Sequence, residues 1–154
     1  MRVLRPIMEG RRKKSRKRCA ANSDKQPDPP VFFIDRALGN RTVPRILRNA
    51  GFLVQIHSNH FAHDAPDIEW LTEAGKRGWV VLSKDKAIRK RRIEREALLN
   101  ANVAAFILTS GNLTGEEMGK IFVRARSRML RCLSKYQRPF MAAVTRDGKV
   151  KLIA

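Results

Sequence analysis

Acidic residues are scarce in this chain. Fourteen Asp and Glu stand against 33 Lys and Arg in 154 residues, for a formal charge of +19. Self-repulsion of that size opposes compaction, so it points to a polyanionic partner, nucleic acid first and an anionic membrane surface second. The excess is not confined to one end: residues 1–30 hold ten Lys/Arg against three acids, and residues 31–154 hold 23 against 11. Cysteine is scarcer still. Cys19 and Cys132 lie far apart without metal-ligand spacing, which disfavours a disulfide scaffold and fits a reduced, cytoplasmic protein. No apolar run approaches the length of a membrane span. The basic N-terminus also lacks the apolar core of a secretory signal, so no membrane partner is expected.

What is present sorts into two regions. Residues 11–18 form a like-charge block, and residues 23–30 are polar and proline-containing. Such a segment cannot bury enough apolar surface to offset its ordering entropy. Residues 1–30 are therefore expected to form a disordered basic arm, either an electrostatic contact to phosphates or a simple extension. Residues 31–154 have the length for one domain with one sizeable core.

The folded part alternates strands and helices. Val31-Phe-Phe-Ile-Asp35 is an apolar run ending on a carboxylate, the pattern of a fully buried parallel strand. A helix follows near residues 43–50, closed by Gly51, and then a strand at 52–56. Residues 79–82 form a third buried strand running into Ser83-Lys84-Asp85, and 103–108 a fourth running into Thr109-Ser110-Gly111-Asn112. This order predicts an α/β fold: a three-layer α/β/α sandwich around a central, mainly parallel sheet. Ligands of such sheets bind outside the carboxyl ends of the strands, where Asp35 and Asp85 fall together. Like charges at one edge repel unless a cation lies between them.

Other stretches carry competing explanations. His57, His60 and His63 recur at spacing three. They sit on one predicted loop with no cysteine, and structural zinc sites draw ligands from separate elements, so zinc is the lesser reading. Asp64-Ala-Pro66-Asp67 looks like a helix start, with Asp64 capping and Asp67 in the first turn. Residues 84–95 carry seven Lys/Arg, including Lys84, Lys86, Arg89 and Lys90. Such a patch beside an acidic edge suits a phosphodiester substrate, with basic groups on the backbone and carboxylates on ions. A short helix is expected at 97–99, and Thr114 with Glu117 matches a capping box for a helix running to about residue 136. A terminal hairpin turns at Asp147-Gly148, which makes Asp147 a turn residue.

Three stretches together resemble the PIN-like domain, a nuclease superfamily that includes toxins of bacterial toxin–antitoxin pairs. They are Phe33-Ile-Asp35 closing the first strand, Asp67-Ile-Glu-Trp-Leu71 leading a helix, and Val80-Val-Leu-Ser-Lys-Asp85 closing a later strand. The segment from Leu108 to Thr114 is also similar to compact members. The resemblance covers about residues 31–150 and implies Asp35, Asp67 and Asp85 as acids that bind Mg2+ or Mn2+ and catalyse RNA hydrolysis. It further implies an antitoxin protein as partner and a homodimer, with RNA the substrate rather than DNA. Ser83, Thr109, Ser110 and Asn112 would orient water or phosphate. Longer members carry an additional Glu between the first and third acids, without a clear counterpart between Asn40 and Asp67 here.

Two other classes compete. A nucleic-acid-binding protein that keeps fold and charge without turnover would show steeply salt-dependent binding and no hydrolysis. A receiver-like signalling domain also gathers aspartates at strand ends, but +19 argues against it.

Overall fold

The computed structural model describes residues 29–85, 88 and 90–154. The expected basic arm, apart from Pro29 and Pro30, lies outside the described residues, as do Lys86 and Arg89. Six strands make one sheet: β1 (Val31–Ile34), β2 (Leu53–Ile56), β3 (Val80–Ser83), β4 (Ala104–Leu108), β5 (Phe140–Val144) and β6 (Val150–Leu152). Their order is β2-β1-β3-β4-β5-β6. The first five run parallel, and β6 returns antiparallel to β5. Helices among the described residues include α1 (Thr42–Asn49), α2 (Asp67–Arg77), α3 (Arg92–Asn100) and α4 (Gly115–Lys135). This is the expected α/β fold with a mainly parallel central sheet.

Strand alternation builds two cores. Phe32, Ile34, Val80, Leu82, Phe106 and Leu108 meet the side chains of α1 and α4 on one face. Phe33, Val81, Ala105 and Ile107 meet Trp70 and Leu71 of α2 and Leu98 of α3 on the other. Phe33 is stacked against both Trp70 and Trp79, with ring centroids 5.5 and 5.4 Å away. Both faces are covered, which explains why the central strands are continuous apolar runs rather than alternating ones.

The topology positions the site. From β1 the chain crosses through α1 to β2 on one side, then returns through α2 to β3 on the other side of β1. Right-handed crossovers in opposite directions place α1 and α2 on opposite faces. The carboxyl ends of β1 and β3 are therefore left at a switch point, where the two connections diverge and a crevice opens.

Several boundaries differ from the sequence expectation. Helix α2 begins at Asp67 with Pro66 at its cap and no side-chain cap bond, so Asp64 does not cap it. Proline's extended backbone ends the preceding loop, and the acids of the first turn, Asp67 and Glu69, offset the helix dipole instead. The short helix expected at 97–99 extends back to Arg92, supported by the four-residue spacing of Arg92 and Glu96, whose side chains pair at 2.8 Å. The capping box is present: Thr114 accepts from the Glu117 amide, and Glu117 accepts from the Thr114 amide. Among the described residues no helix is long and apolar enough to cross a membrane.

Candidate active site

Asp35 follows the last residue of β1. Its backbone N–H donates to the Leu82 carbonyl at 3.0 Å, carrying the β1–β3 ladder one residue further. Ile34 pairs with Leu82 in that register, so Asp35 falls beside Ser83. Alternation turns both toward the α2 side of the sheet, the side that Phe33 and Val81 face. The Ser83 hydroxyl donates to Asp35 Oδ2 at 2.6 Å and accepts from the Asp85 backbone N–H at 3.0 Å. A hydroxyl has one proton to give and lone pairs to receive. Ser83 thus spends its proton on Asp35 and one lone pair on Asp85, linking the first acid to the turn that carries the third.

Asp35 is only 2 % exposed. Burial pushes its carboxyl up to about 6, against an ordinary 3.8, and the nearby charges of Asp67 and Asp85 push the same way. The Ser83 hydrogen bond and the Arg36 charge oppose the shift. Both other acids therefore act on Asp35 through their fields, in line with a common rim at the end of the sheet.

Asp67 arrives from the opposite direction, at the N-terminus of α2. Two donors meet its Oδ1: the Trp70 indole N–H at 3.0 Å and Arg36 Nη2 at 3.2 Å. Arg36 also donates through Nη1 to the Ala65 carbonyl at 2.9 Å and lies 3.4 Å from His57 Nε2. A guanidinium cannot accept a hydrogen bond, so this contact requires an unprotonated Nε2. Burial, followed by the Arg36 charge, holds the His57 pKa below its ordinary value, consistent with that neutral ring. Arg36 is the residue that sequence reasoning missed. Its only signal was adjacency to Asp35, which does not reveal the loop carbonyl and helix-end carboxylate that it joins.

The remaining sequence candidates divide. Ser83 is buried, with its proton on Asp35 and one lone pair on the Asp85 backbone N–H. Thr109, just past β4, donates through its backbone N–H and its hydroxyl to the Val144 carbonyl, at 3.0 and 3.3 Å. Ser110 is half-buried and Asn112 exposed in the same turn, Asn112 with φ 56°. Lys84 is half-buried and Lys90 exposed. The histidines diverge: His57 turns inward to Arg36, while His60 Nε2 meets Gln55 Oε1 at 2.7 Å. Among the described residues, no three His, Cys, Asp or Glu side chains are grouped so as to hold a metal ion.

This geometry coincides with a sequence match. The model of the PIN-like domain family matches residues 30–110, which contain Asp35, Asp67 and Asp85. The chain belongs to the PIN-like domain family. It is also similar to a Mycobacterium tuberculosis protein named "Putative ribonuclease VapC45", with 27 % identity over 126 residues, covering 79 % of this chain and 91 % of that protein. No solved structure matches the chain.

Proposed function

We propose that residues 31–154 form a Mg2+- or Mn2+-dependent endoribonuclease domain and that residues 1–30 are a basic arm adding salt-dependent affinity for RNA. The observation that carries this reading is the Asp35 carboxylate, buried at the switch point and raised to about 6 partly by the fields of two further aspartates. At neutral pH it is mostly ionised, and the charges of Asp67 and Asp85 act on it, although among the described residues the three side chains are not gathered into a ready metal-binding group. Their oxygen-only donor chemistry fits a hard divalent cation that completes its shell with water and phosphate. When bound, such a cation supplies Lewis acidity toward a phosphate oxygen and acidifies water.

In this reading Asp35, Asp67 and Asp85 hold the cation, and Ser83 fixes the orientation of Asp35. Asp67 offers Oδ2, because its Trp70 and Arg36 bonds both fall on Oδ1. Lys84, Lys86, Arg89 and Lys90 hold backbone phosphates; Thr109, Ser110 and Asn112 border the substrate. The VapC45 similarity supports the ribonuclease reading, and the resemblance to PIN-like toxins extends the proposal to the toxin of a toxin–antitoxin pair, acting in the cytoplasm, with an antitoxin protein as partner and a homodimer as the working form.

Cleavage of RNA with and without Mn2+ tests the proposal. Asp35→Asn and Asp85→Asn should each abolish it, and full activity in either variant or in EDTA overturns the mechanism. A second reading, RNA binding without turnover, draws support from the Arg36 contact to Asp67, which places a protein cation where a metal ligand is invoked. It predicts intact binding and no hydrolysis with either ion.

A further inference from the structure

Among the four helices given above, positive charge is unevenly divided between the two layers, the Lys84–Arg91 patch at the acidic edge aside. Helices α1 and α4, which cover one face of the sheet, hold eight Lys/Arg against two acids, both acids in the first turn of α4. Helices α2 and α3, on the face with the candidate acids, hold four Lys/Arg against five acids. On α2 and α3 cations pair with acids, as in Arg77–Glu73 at 2.6 Å and Arg92–Glu96 at 2.8 Å. On α4 the sequence offers no acid from Met118 to Lys135.

The unbalanced cations are ordered. Lys120, Arg124, Arg128, Arg131 and Lys135 are all exposed and recur every three or four residues, so they lie along one stripe of α4. At 1.5 Å per residue the stripe is about 22 Å long. Arg124 and Arg128 each donate one N–H to a carbonyl of the β5–β6 turn, Arg146 and Gly148 respectively. A carbonyl fixes a guanidinium without neutralising it. Helix α1 packs against the other flank, adding exposed Arg45 and Arg48.

We propose that this α1–α4 face is a docking surface for the RNA backbone, separate from the candidate active site and on the opposite side of the sheet. The inference rests on the ribonuclease reading for its choice of polyanion. A second copy of the chain would bring like charges together. A bilayer would need an apolar strip, but the apolar side of α4 is already buried against the sheet. A run of cations on a rigid helix, none in a salt bridge with an acid among the described residues, matches what a phosphate backbone recruits, positioning the substrate without reading its sequence.

The test measures binding rather than cleavage. Full-length protein in EDTA is titrated with a fluorescein-labelled RNA hairpin carrying single-stranded flanks, across a series of salt concentrations. The variant Arg45→Gln, Lys120→Gln, Arg131→Gln should bind roughly tenfold more weakly at physiological salt, with a log–log salt slope shallower by about 2 to 3. Thermal melts establish that it folds. The charge-keeping variant Arg45→Lys, Lys120→Arg, Arg131→Lys should retain the wild-type slope, as should Lys76→Gln with Arg77→Gln on the other layer. A wild-type slope in the glutamine triple overturns the proposal, as does displacement of the RNA by poly-glutamate at matched charge, which would identify an acidic protein as the partner. The cleavage assay stands apart: stripe-dependent binding without Mn2+-dependent turnover supports this surface while removing the nuclease reading.

Discussion

Ser83 gives its only proton to Asp35, 2.6 Å away, and takes one from the backbone of Asp85. A buried carboxylate at the switch point is thereby tied to the turn that follows the neighbouring strand. The hydrogen bond favours the ionised form of Asp35 and is the strongest influence opposing its burial. Ser83→Ala should raise the Asp35 pKa above about 6 and move the acid limb of RNA cleavage to higher pH. Activity at pH 7 should fall several-fold and recover substantially by pH 8 to 9, about a unit or two above the ordinary assay pH. A pH–rate profile superimposing on wild type would show that Ser83 does not set the state of Asp35.

Asp35 should also weaken the fold that it serves. Its folded pKa of about 6 lies above the ordinary 3.8, so the native state holds the proton more tightly than the unfolded chain. Stability from this group is therefore full below about pH 4 and lost as pH rises to about 6, by about 3 kcal/mol from that shift. Asp35→Asn keeps an acceptor for Ser83 and removes the charge. The variant should be more stable than wild type by up to about 3 kcal/mol at pH 7, with the gap closing toward pH 4. Mn2+ should stabilise wild type and leave the variant unchanged. Denaturant unfolding at several pH values, with and without the ion, measures both effects.

His57 acts with the opposite sign. Its folded pKa is depressed by burial and by Arg36, so its contribution is present above the ordinary 6.5 and lost as pH falls from there through the lower folded value. Protonation would also remove the acceptor for Arg36 Nη1. His57→Gln retains an acceptor without a titrating ring. Wild type should lose stability relative to this variant below about pH 6.5, by at most about 1.4 kcal/mol per pH unit. The comparison is best made in the Asp35→Asn background, because the two groups pull in opposite directions over the same interval.

The sheet was legible in the sequence because its central strands are buried on both faces. Val31 to Ile34 and Val80 to Leu82 are unbroken apolar runs, and the chain leads from their ends into Asp35 and, three residues on, Asp85. The role proposed for Asp67 was visible only through family resemblance. An acid in a first helical turn is explained by the dipole alone. The contacts that distinguish it, from Arg36 and Trp70, join residues of different periodicity, one of them 31 positions away. Ser83 could not be tied to Asp35 from the sequence. Its position beside Asp35 depends on the register of β1 against β3, and no local pattern reports register between strands separated by two helices and another strand. The segregation of charge between helical layers was equally hidden, since total charge says nothing about which face of the sheet each helix covers.

The placement of Asp67 depends on how closely α2 approaches the chain after α3. A Cβ added at Gly75 would stand 1.9 Å from the Ala101 carbonyl oxygen, a backbone atom that cannot rotate away. Gly75→Ala must therefore push α2 from its seat, at a cost of about 3 kcal/mol or more, the range of severe overpacking. Gly78, at the end of the same helix, provides the contrast. It adopts φ +70° with nothing within 4 Å of an added Cβ, so Gly78→Ala should cost only about 1 kcal/mol, through backbone strain. Where Gly75→Ala still folds at low temperature, its loss of RNA cleavage should exceed that of Gly78→Ala at matched folded fraction. Trp70 and Asp67 move with α2, whereas Asp35, Ser83 and Asp85 are anchored to the sheet. Equal specific activities in the two folded variants would show that the approach of α2 is unimportant to the site.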